Sequence, residues 1–316
     1  MTALLARRIA GLIVTLLVMS ILLFVIMDLL PGDPAEIMLG TSASADTLAA
    51  LQRELGLDQP LPLRYASWLA GVLQGDLGIS YTYGVPVSGL IAERLAVTLP
   101  LALLAIFISV TIAIPLGVQA ARSHKGAADL VIGLLSYIGV AVPAFWLGLL
   151  LILVFSSGYG WVPAGGFPGW GAGLGPAFAA LVLPAIALAL PQAAVLVRVT
   201  RSAVLETLNE DFVRTARAKG LGEAGAVWRH ALPAALVPIL TVVGLQSTFL
   251  VAGAVLVENV FNLPGLGRLA FQALSQRDVV VMQDVVLCFA AMVILMNFLV
   301  DLAYIWLDPR LRMQDN

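Results

Sequence analysis

The residue types best able to do chemistry are scarce in this sequence: two histidines, His124 and His230, one cysteine, Cys288, and two lysines, Lys125 and Lys219. A helical zinc site of the H-E-x-x-H kind needs its two imidazoles one turn apart, and His124 and His230 are far apart in the chain. Cys288 lies inside an apolar run, so neither a disulfide nor a cysteine-based metal site can be built within the chain, and packing is its expected use. No serine or cysteine nucleophile has a matching base in the same layer. A phosphate-binding Walker loop requires Gly-Lys followed by Ser or Thr, whereas Lys125 and Lys219 are each followed by glycine. The chain is therefore expected to be no enzyme, with no catalytic, cofactor or metal residues of its own.

Ionisable groups inside apolar runs mark a second kind of chemistry, because charge at mid-membrane is costly and kept for function. Asp301, one helical turn after Asn297, is the clearest example, with an interhelical hydrogen bond the simpler role. Glu258 and Asp284 are placed at outer span ends, within reach of water. An ion-coupled secondary transporter or channel is the competing class, weakened because no inverted repeat is evident between the halves. Ser136, Gln192, Gln246, Ser247 and Thr248 are polar enough to line a translocation path, although interhelical hydrogen bonding accounts for each equally well.

These residues must be positioned by membrane helices. The chain is 60% hydrophobic and 11% charged, against about 45–50% and about 25% in ordinary soluble domains, and so few charges cannot coat a water-soluble particle. A helix crosses the hydrocarbon layer with about 20 apolar residues. Six such runs are found, approximately Ile9 to Leu29, Leu95 to Ala121, Leu130 to Phe155, Phe178 to Val199, Ala234 to Val257 and Asp284 to Leu307. The first follows Arg7 and Arg8 but is longer than a signal peptide's apolar core and has no cleavage site close behind it, so it reads as an uncleaved span. Pro100, Pro115, Pro143, Pro184, Pro191 and Pro238 lie in or near the spans. Each frees a backbone carbonyl and bends its helix, which argues for a packed bundle around a pathway.

Orientation follows from the basic residues, since short loops rich in Lys and Arg stay cytoplasmic. Twelve of the seventeen, namely Arg7, Arg8, Arg122, Lys125, Arg198, Arg201, Arg214, Arg217, Lys219, Arg229, Arg310 and Arg312, fall on one side of the six-span arrangement. Both termini are therefore expected in the cytoplasm. Tyr159 and Trp161 outside, and Tyr304 and Trp306 inside, sit where amphipathic rings prefer the interface. No basic or acidic tail suggests nucleic acid.

Two loops carry information. The outer one, from Leu30 to about Arg94, opens on the turn Pro31-Gly32-Asp33-Pro34. It then predicts one short helix from about Asp46 to Leu55, capped near Ser44 or Ala45 and ended by Gly56, and another from about Leu63 to Gln74, stopped by Gly75. The inner one, about 200–233, predicts helix on both sides of Gly220. Glu206, Glu210 and Asp211 precede Arg214, Arg217 and Lys219, as the helix dipole favours, and Glu210 with Arg214 forms a favourable i,i+4 pair. Such a helix would lie exposed, presenting Ala216, Ala218 and Gly220 to a docking partner, or would be held as a basic loop against anionic lipid.

This inner loop resembles the cytoplasmic EAA loop of binding-protein-dependent ABC importers, whose pattern is E-A-A, three residues, Gly, nine residues and I-x-L-P. Arg214, Thr215 and Ala216 stand at the E-A-A positions, Gly220 at the glycine, His230 at the isoleucine and Leu232-Pro233 at the end; the strict glutamate and isoleucine are absent. Arg-Thr-Ala-Arg-Ala-Lys-Gly followed by Arg-His-Ala-Leu is the variant similar to the B-type permease subunits of the dipeptide, oligopeptide and nickel systems. The resemblance spans almost the whole chain, through Pro31-Gly32-Asp33-Pro34, Leu55-Gly56-Leu57-Asp58, Gly75-Asp76-Leu77-Gly78, Pro143-Ala144-Phe145-Trp146, the stretch from Glu258 to Arg268, and Leu307-Asp308-Pro309-Arg310.

The resemblance implies an all-α membrane protein with six transmembrane helices, a small periplasmic cap between spans one and two, and a cytoplasmic EAA-type coupling loop. Residues 1–29 would form the N-terminus and first helix, 30–94 the cap segment, and 95–316 a five-helix permease core. It implies a multi-pass protein of a bacterial or archaeal cytoplasmic membrane, working with a homologous second permease subunit, two cytoplasmic ATPases and a periplasmic solute-binding protein. ATP and Mg would sit on the partner subunits. The coupling contact falls on Arg214, Thr215, Ala216, Arg217, Ala218, Lys219, Gly220 and Leu221. Peptides or similar small solutes are the implied cargo, with nickel or another small solute as the alternative within the family.

Overall fold

The computed structural model describes residues 2–29, 34–39 and 44–307. Most of the Pro31-Gly32-Asp33-Pro34 turn, and Asp308-Pro309-Arg310 at the other end, lie outside the described residues. In chain order the helices are α1 (Thr2–Leu29), α2 (Pro34–Leu39), α3 (Ala45–Glu54), α4 (Leu61–Gln74), α5 (Val87–Arg122), α6 (Ala127–Ala141), α7 (Ala144–Leu151), α8 (Leu174–Leu208), α9 (Asp211–Ala218), α10 (Glu223–Ala226), α11 (Leu232–Val260), α12 (Leu266–Gln276) and α13 (Val279–Leu307). Wider π-type turns extend α7 over Ile152–Gly158 and join α10 to α11 over Val227–Ala231. Among the described residues the only β pairing is the isolated bridge between Ile79 and Pro86. Five helices are long and apolar enough to cross a membrane, and a sixth span forms if α6 and α7 are counted together.

That α6–α7 pair departs from the expected straight span between Leu130 and Phe155: it bends by 101°. Proline alone does not explain the break, because Pro100, Pro115, Pro184, Pro191 and Pro238 all sit inside continuous helices. At Pro143 the preceding Val142 takes an extended backbone (φ −88°, ψ 120°), the conformation that a following proline favours. Small residues then let the two arms approach their neighbours closely. A Cβ on Gly139 would lie 2.8 Å from Ala194 Cβ, and one on Gly148 would lie 2.8 Å from Phe261 Cε2.

The chain divides into two compact units. Among the described residues the larger comprises 99–263, 295–307 and 2–5. Its centre is α8, whose alanine-rich faces are buried against α6, α7 and α11. Gly117 brings α5 so near α8 that a Cβ there would meet Thr200 Cβ at 2.5 Å, the close backbone approach typical of membrane packing. Val118, Leu196, Val204, Val227 and Ile239 fill the core beside it. On the far side, Gly166 N–H donates to the Phe261 carbonyl at 2.8 Å, tying the 159–173 loop to the turn after α11.

The smaller unit comprises Ala6–Thr98 and Pro264–Ile294. Both short helices expected in the 30–94 segment are present. Ser44 caps α3 by accepting from Thr47 N–H, and Gly75 ends α4 at φ +80°. Helix α4 is held by an aromatic cluster of Phe24, Tyr65 and Trp68, with the Arg64 guanidinium donating to Asp28 at 2.7 Å. Asp278 is the polar centre of this unit: its carboxylate accepts from Ser80 Oγ, Thr82 N–H and Val281 N–H, the last capping α13. Leu266, Leu269, Val281 and Val285 pack with Val87 and Ile91 into a second core.

Candidate coupling surface and polar pathway

The segment after α8 is built to stand out from the bundle while remaining fastened to it. Asn209 closes α8, Glu210 turns to an extended backbone, and α9 begins at Asp211 with an acid in its first turn and Arg217 in its last, the polarity favoured by the helix dipole. One residue faces in: Val213 is fully buried with Ala226 and Ala231, and Leu208 and Leu221 pack on them. Arg214, Thr215, Arg217, Ala218, Lys219 and Gly220 are exposed, Ala216 is half-buried, and Leu221 is partly buried as the anchor of the turn. Arg214 pairs with Asp211 at 3.7 Å rather than with Glu210. Glu210 is the N-cap, its extended backbone outside α9, whereas Asp211 is within the helix at i,i+3 from Arg214; a pair so exposed contributes little.

Gly220 adopts φ +91°, a left-handed conformation that L side chains rarely take. The Gly220 N–H donates to the Arg217 carbonyl at 2.9 Å and the Leu221 N–H to the Ala216 carbonyl at 3.2 Å. Together these stop α9 and return the chain to α10. Two large side chains beside this surface went unremarked at the sequence level: Phe212 and Trp228 are each 47% exposed. For Phe212 a signal was present, since it directly precedes Val213, the one inward residue of α9, and neighbouring helical side chains are turned about 100° apart.

A second polar feature was not legible at all. Arg201, near the end of α8, grips Asp129 at the start of α6 with two bonds, Nε to Oδ1 at 2.5 Å and Nη2 to Oδ2 at 2.7 Å. Lys125 N–H also donates to Asp129 Oδ2, and His124 Nδ1 lies 3.2 Å from Arg201 Nη2. Such planar two-point pairing is the strong form of ion pair.

The five polar residues proposed for a path are placed as follows. Ser136 is buried, its hydroxyl donating to the Ile132 carbonyl, and Ser247 does the same to Val243. Gln246 Nε2 donates across to the Gln192 carbonyl at 3.0 Å, joining α11 to α8. Thr248 is exposed and Gln192 half-buried. Asp301 is half-buried and partnered, and Asn297 is exposed. Glu258 and Asp284, expected to reach water, are instead 0% and 2% exposed. Beyond Glu258 the chain folds back, Leu263 N–H donating to the Glu258 carbonyl, and α13 starts at Val279, so that Asp284 lies inside the helix with Trp68 Nε1 donating to it at 3.2 Å.

Residues 113–313 match the binding-protein-dependent transport system inner membrane component family, and residues 1–102 match the N-terminal component of the same systems. The chain belongs to this family: it is a permease subunit of the ABC transporter class and a multi-pass inner-membrane protein. Among curated relatives, a putative peptide transport system permease of Brucella abortus is 44% identical, covering 99% of each chain. A probable peptide ABC transporter permease of Sinorhizobium fredii is 40% identical over 97% of this chain and 98% of its own length. A glutathione transport system permease of Salmonella choleraesuis is 40% identical over 97% of both. In fold, the chain is similar to a chain of the MetNI methionine ABC transporter in an inward-facing conformation, with a TM-score of 0.58 and 20% identity, covering 69% of this chain and 96% of that one.

Proposed function

We propose that this permease forms half of the translocation path of an ATP-driven importer for peptides or peptide-like solutes, completed by a homologous second permease subunit. A periplasmic binding protein delivers the solute, and two cytoplasmic ATPases hold ATP and Mg and supply the energy. The relatives' substrates, peptide and glutathione, support the peptide class over nickel. Both termini and the 200–233 loop face the cytoplasm, and the 30–94 segment caps the periplasmic side, as the distribution of Lys and Arg requires. Arg214 to Leu221 is the contact with an ATPase, and Ser136, Gln192, Gln246, Ser247 and Thr248 lie along or beside the path.

The observation that carries this reading is the exposed α9 whose only fully buried side chain is Val213. A basic helix pinned by one residue and ended by a left-handed glycine is a surface made to be gripped. In the assembled transporter, a cysteine at Arg217 should cross-link to an ATPase subunit, and the assembly should hydrolyse ATP while the purified chain alone does not. No cross-link from Arg217, in an assembly that hydrolyses ATP and takes up solute, would remove the coupling role from this helix.

A further inference from the structure

A groove of about 780 Å³ runs between the start of α6 and the end of α8, lined by Lys125, Asp129, Leu130, Leu134, Tyr137, Arg198 and Arg201 among others. Its lining carries three cations against one carboxylate. Arg201 is taken up by Asp129, whereas among the described residues no carboxylate pairs with Lys125 or Arg198. The Arg198 guanidinium lies 5.4 Å over the Tyr137 ring, which sits roughly 15 Å along α6 from its first residue. Between these cations the wall on the α6 side is apolar. Leu130, Leu134 and Tyr137, spaced along one face of α6, are 67%, 53% and 65% exposed, an apolar stripe extending roughly 10 Å down the helix.

We propose that this groove is a binding site for one anionic glycerophospholipid, whose phosphate is drawn to the cations of the lining, Lys125 and Arg198, and whose acyl chain lies along Leu130, Gly133, Leu134 and Tyr137. Charge complementarity selects the headgroup: the surplus positive charge attracts a net anion, and a zwitterionic lipid would bring its own cation to the same lining. The apolar stripe favours a lipid over a soluble phosphate, because it belongs to the α6–α7 span, where hydrocarbon is its natural cover, and a lipid carries acyl chain and phosphate in one molecule. The Arg201–Asp129 pair acts here as a positioning element, setting the spacing of α6 and α8 that gives the groove its width. This site lies about two turns of α8 before the segment that leads into α9, so its occupant would border the coupling surface without belonging to it.

The test uses the full-length chain in mild detergent, with retained lipid counted by native mass spectrometry after exchange with phosphatidylglycerol or phosphatidylcholine of identical chains. The wild type should retain phosphatidylglycerol in preference to phosphatidylcholine, unaffected by millimolar inorganic phosphate. Lys125→Gln with Arg198→Gln should lower phosphatidylglycerol occupancy roughly tenfold or more, given the attraction of two lost charges to an anionic headgroup. Because both side chains are exposed, the fold should survive. Gly133→Leu provides a second arm that leaves the charges untouched: a Cβ there meets nothing within 4 Å and points new bulk into open space, so it should reduce occupancy by blocking the stripe. Equal retention of the two lipids, unchanged phosphatidylglycerol binding in both variants, or displacement by inorganic phosphate would each overturn the proposal. So would quantitative cross-linking of Leu134→Cys to a partner subunit in the assembled transporter, which would make the groove a protein interface.

Discussion

Replacing Gly220 by valine tests the coupling surface at the point where backbone geometry is least forgiving. The residue sits at φ +91°, and a Cβ built on it meets nothing within 4 Å, so the penalty is conformational and not a clash. Holding a β-branched residue in that region costs on the order of 1–3 kcal/mol, which shifts the loop away from its observed turn by roughly 5- to 150-fold. The turn can relax because only Val213 and Leu221 fasten α9 to the small core beneath it. Relaxation would break the Gly220-to-Arg217 and Leu221-to-Ala216 backbone bonds and swing Arg217 and Lys219 out of register. The spans bury none of these residues, so membrane insertion and protein level should stay near normal. Solute uptake in cells should collapse, and ATP hydrolysis stimulated by loaded binding protein should fall toward its unstimulated rate. Gly220→Asn, a residue that tolerates left-handed backbone, should keep most of both activities. Wild-type uptake by a fully expressed Gly220→Val chain would show that the turn is a plain connector and that force enters the permease elsewhere.

Two further outcomes follow from other parts of the molecule. A cysteine replacing Asp58 should react with a membrane-impermeant maleimide in cells whose outer membrane is permeabilised, and one replacing Gly222 should react only after the inner membrane is opened; the reverse pattern would invert the topology. Asp278→Ala should lower the melting temperature of the detergent-purified chain, because Ser80 Oγ, Thr82 N–H and Val281 N–H lose one buried acceptor between them, a loss of roughly 2–4 kcal/mol. Asp278→Asn should recover part of it, and unchanged melting in the alanine variant would show that the bonds are replaced by water.

The apolar runs long enough to span a bilayer, the asymmetry of the basic residues and the glycines that end α4 and α9 are local properties, and local chemistry determines them. A run such as Leu95 to Ala121 has no stable alternative in lipid to a helix that satisfies its own backbone, and the dihedral freedom of Gly75 and Gly220 is intrinsic to the residue. The α3 and α4 helices were legible for the same reason, through Ser44 as a cap and Gly75 as a stop. Which proline breaks a span was not. Pro184 and Pro191 lie inside one continuous α8, whereas at Pro143 the chain turns by 101°, and the difference lies in neighbours: Gly139 and Gly148 admit Ala194 and Phe261 to contact distances that only the folded bundle creates. The Arg201–Asp129 grip joins residues 72 positions apart, and Asp278 collects its donors from nearly two hundred positions upstream as well as from its own helix. Burial of Glu258 and Asp284 likewise depends on a chain reversal at Asn262 and on a helix start at Val279. Hydropathy reports what each segment prefers as a solvent, and it carries no record of which segments meet; long-range pairing, the partner of each buried charge and the groove beside α6 exist only once the helices are packed.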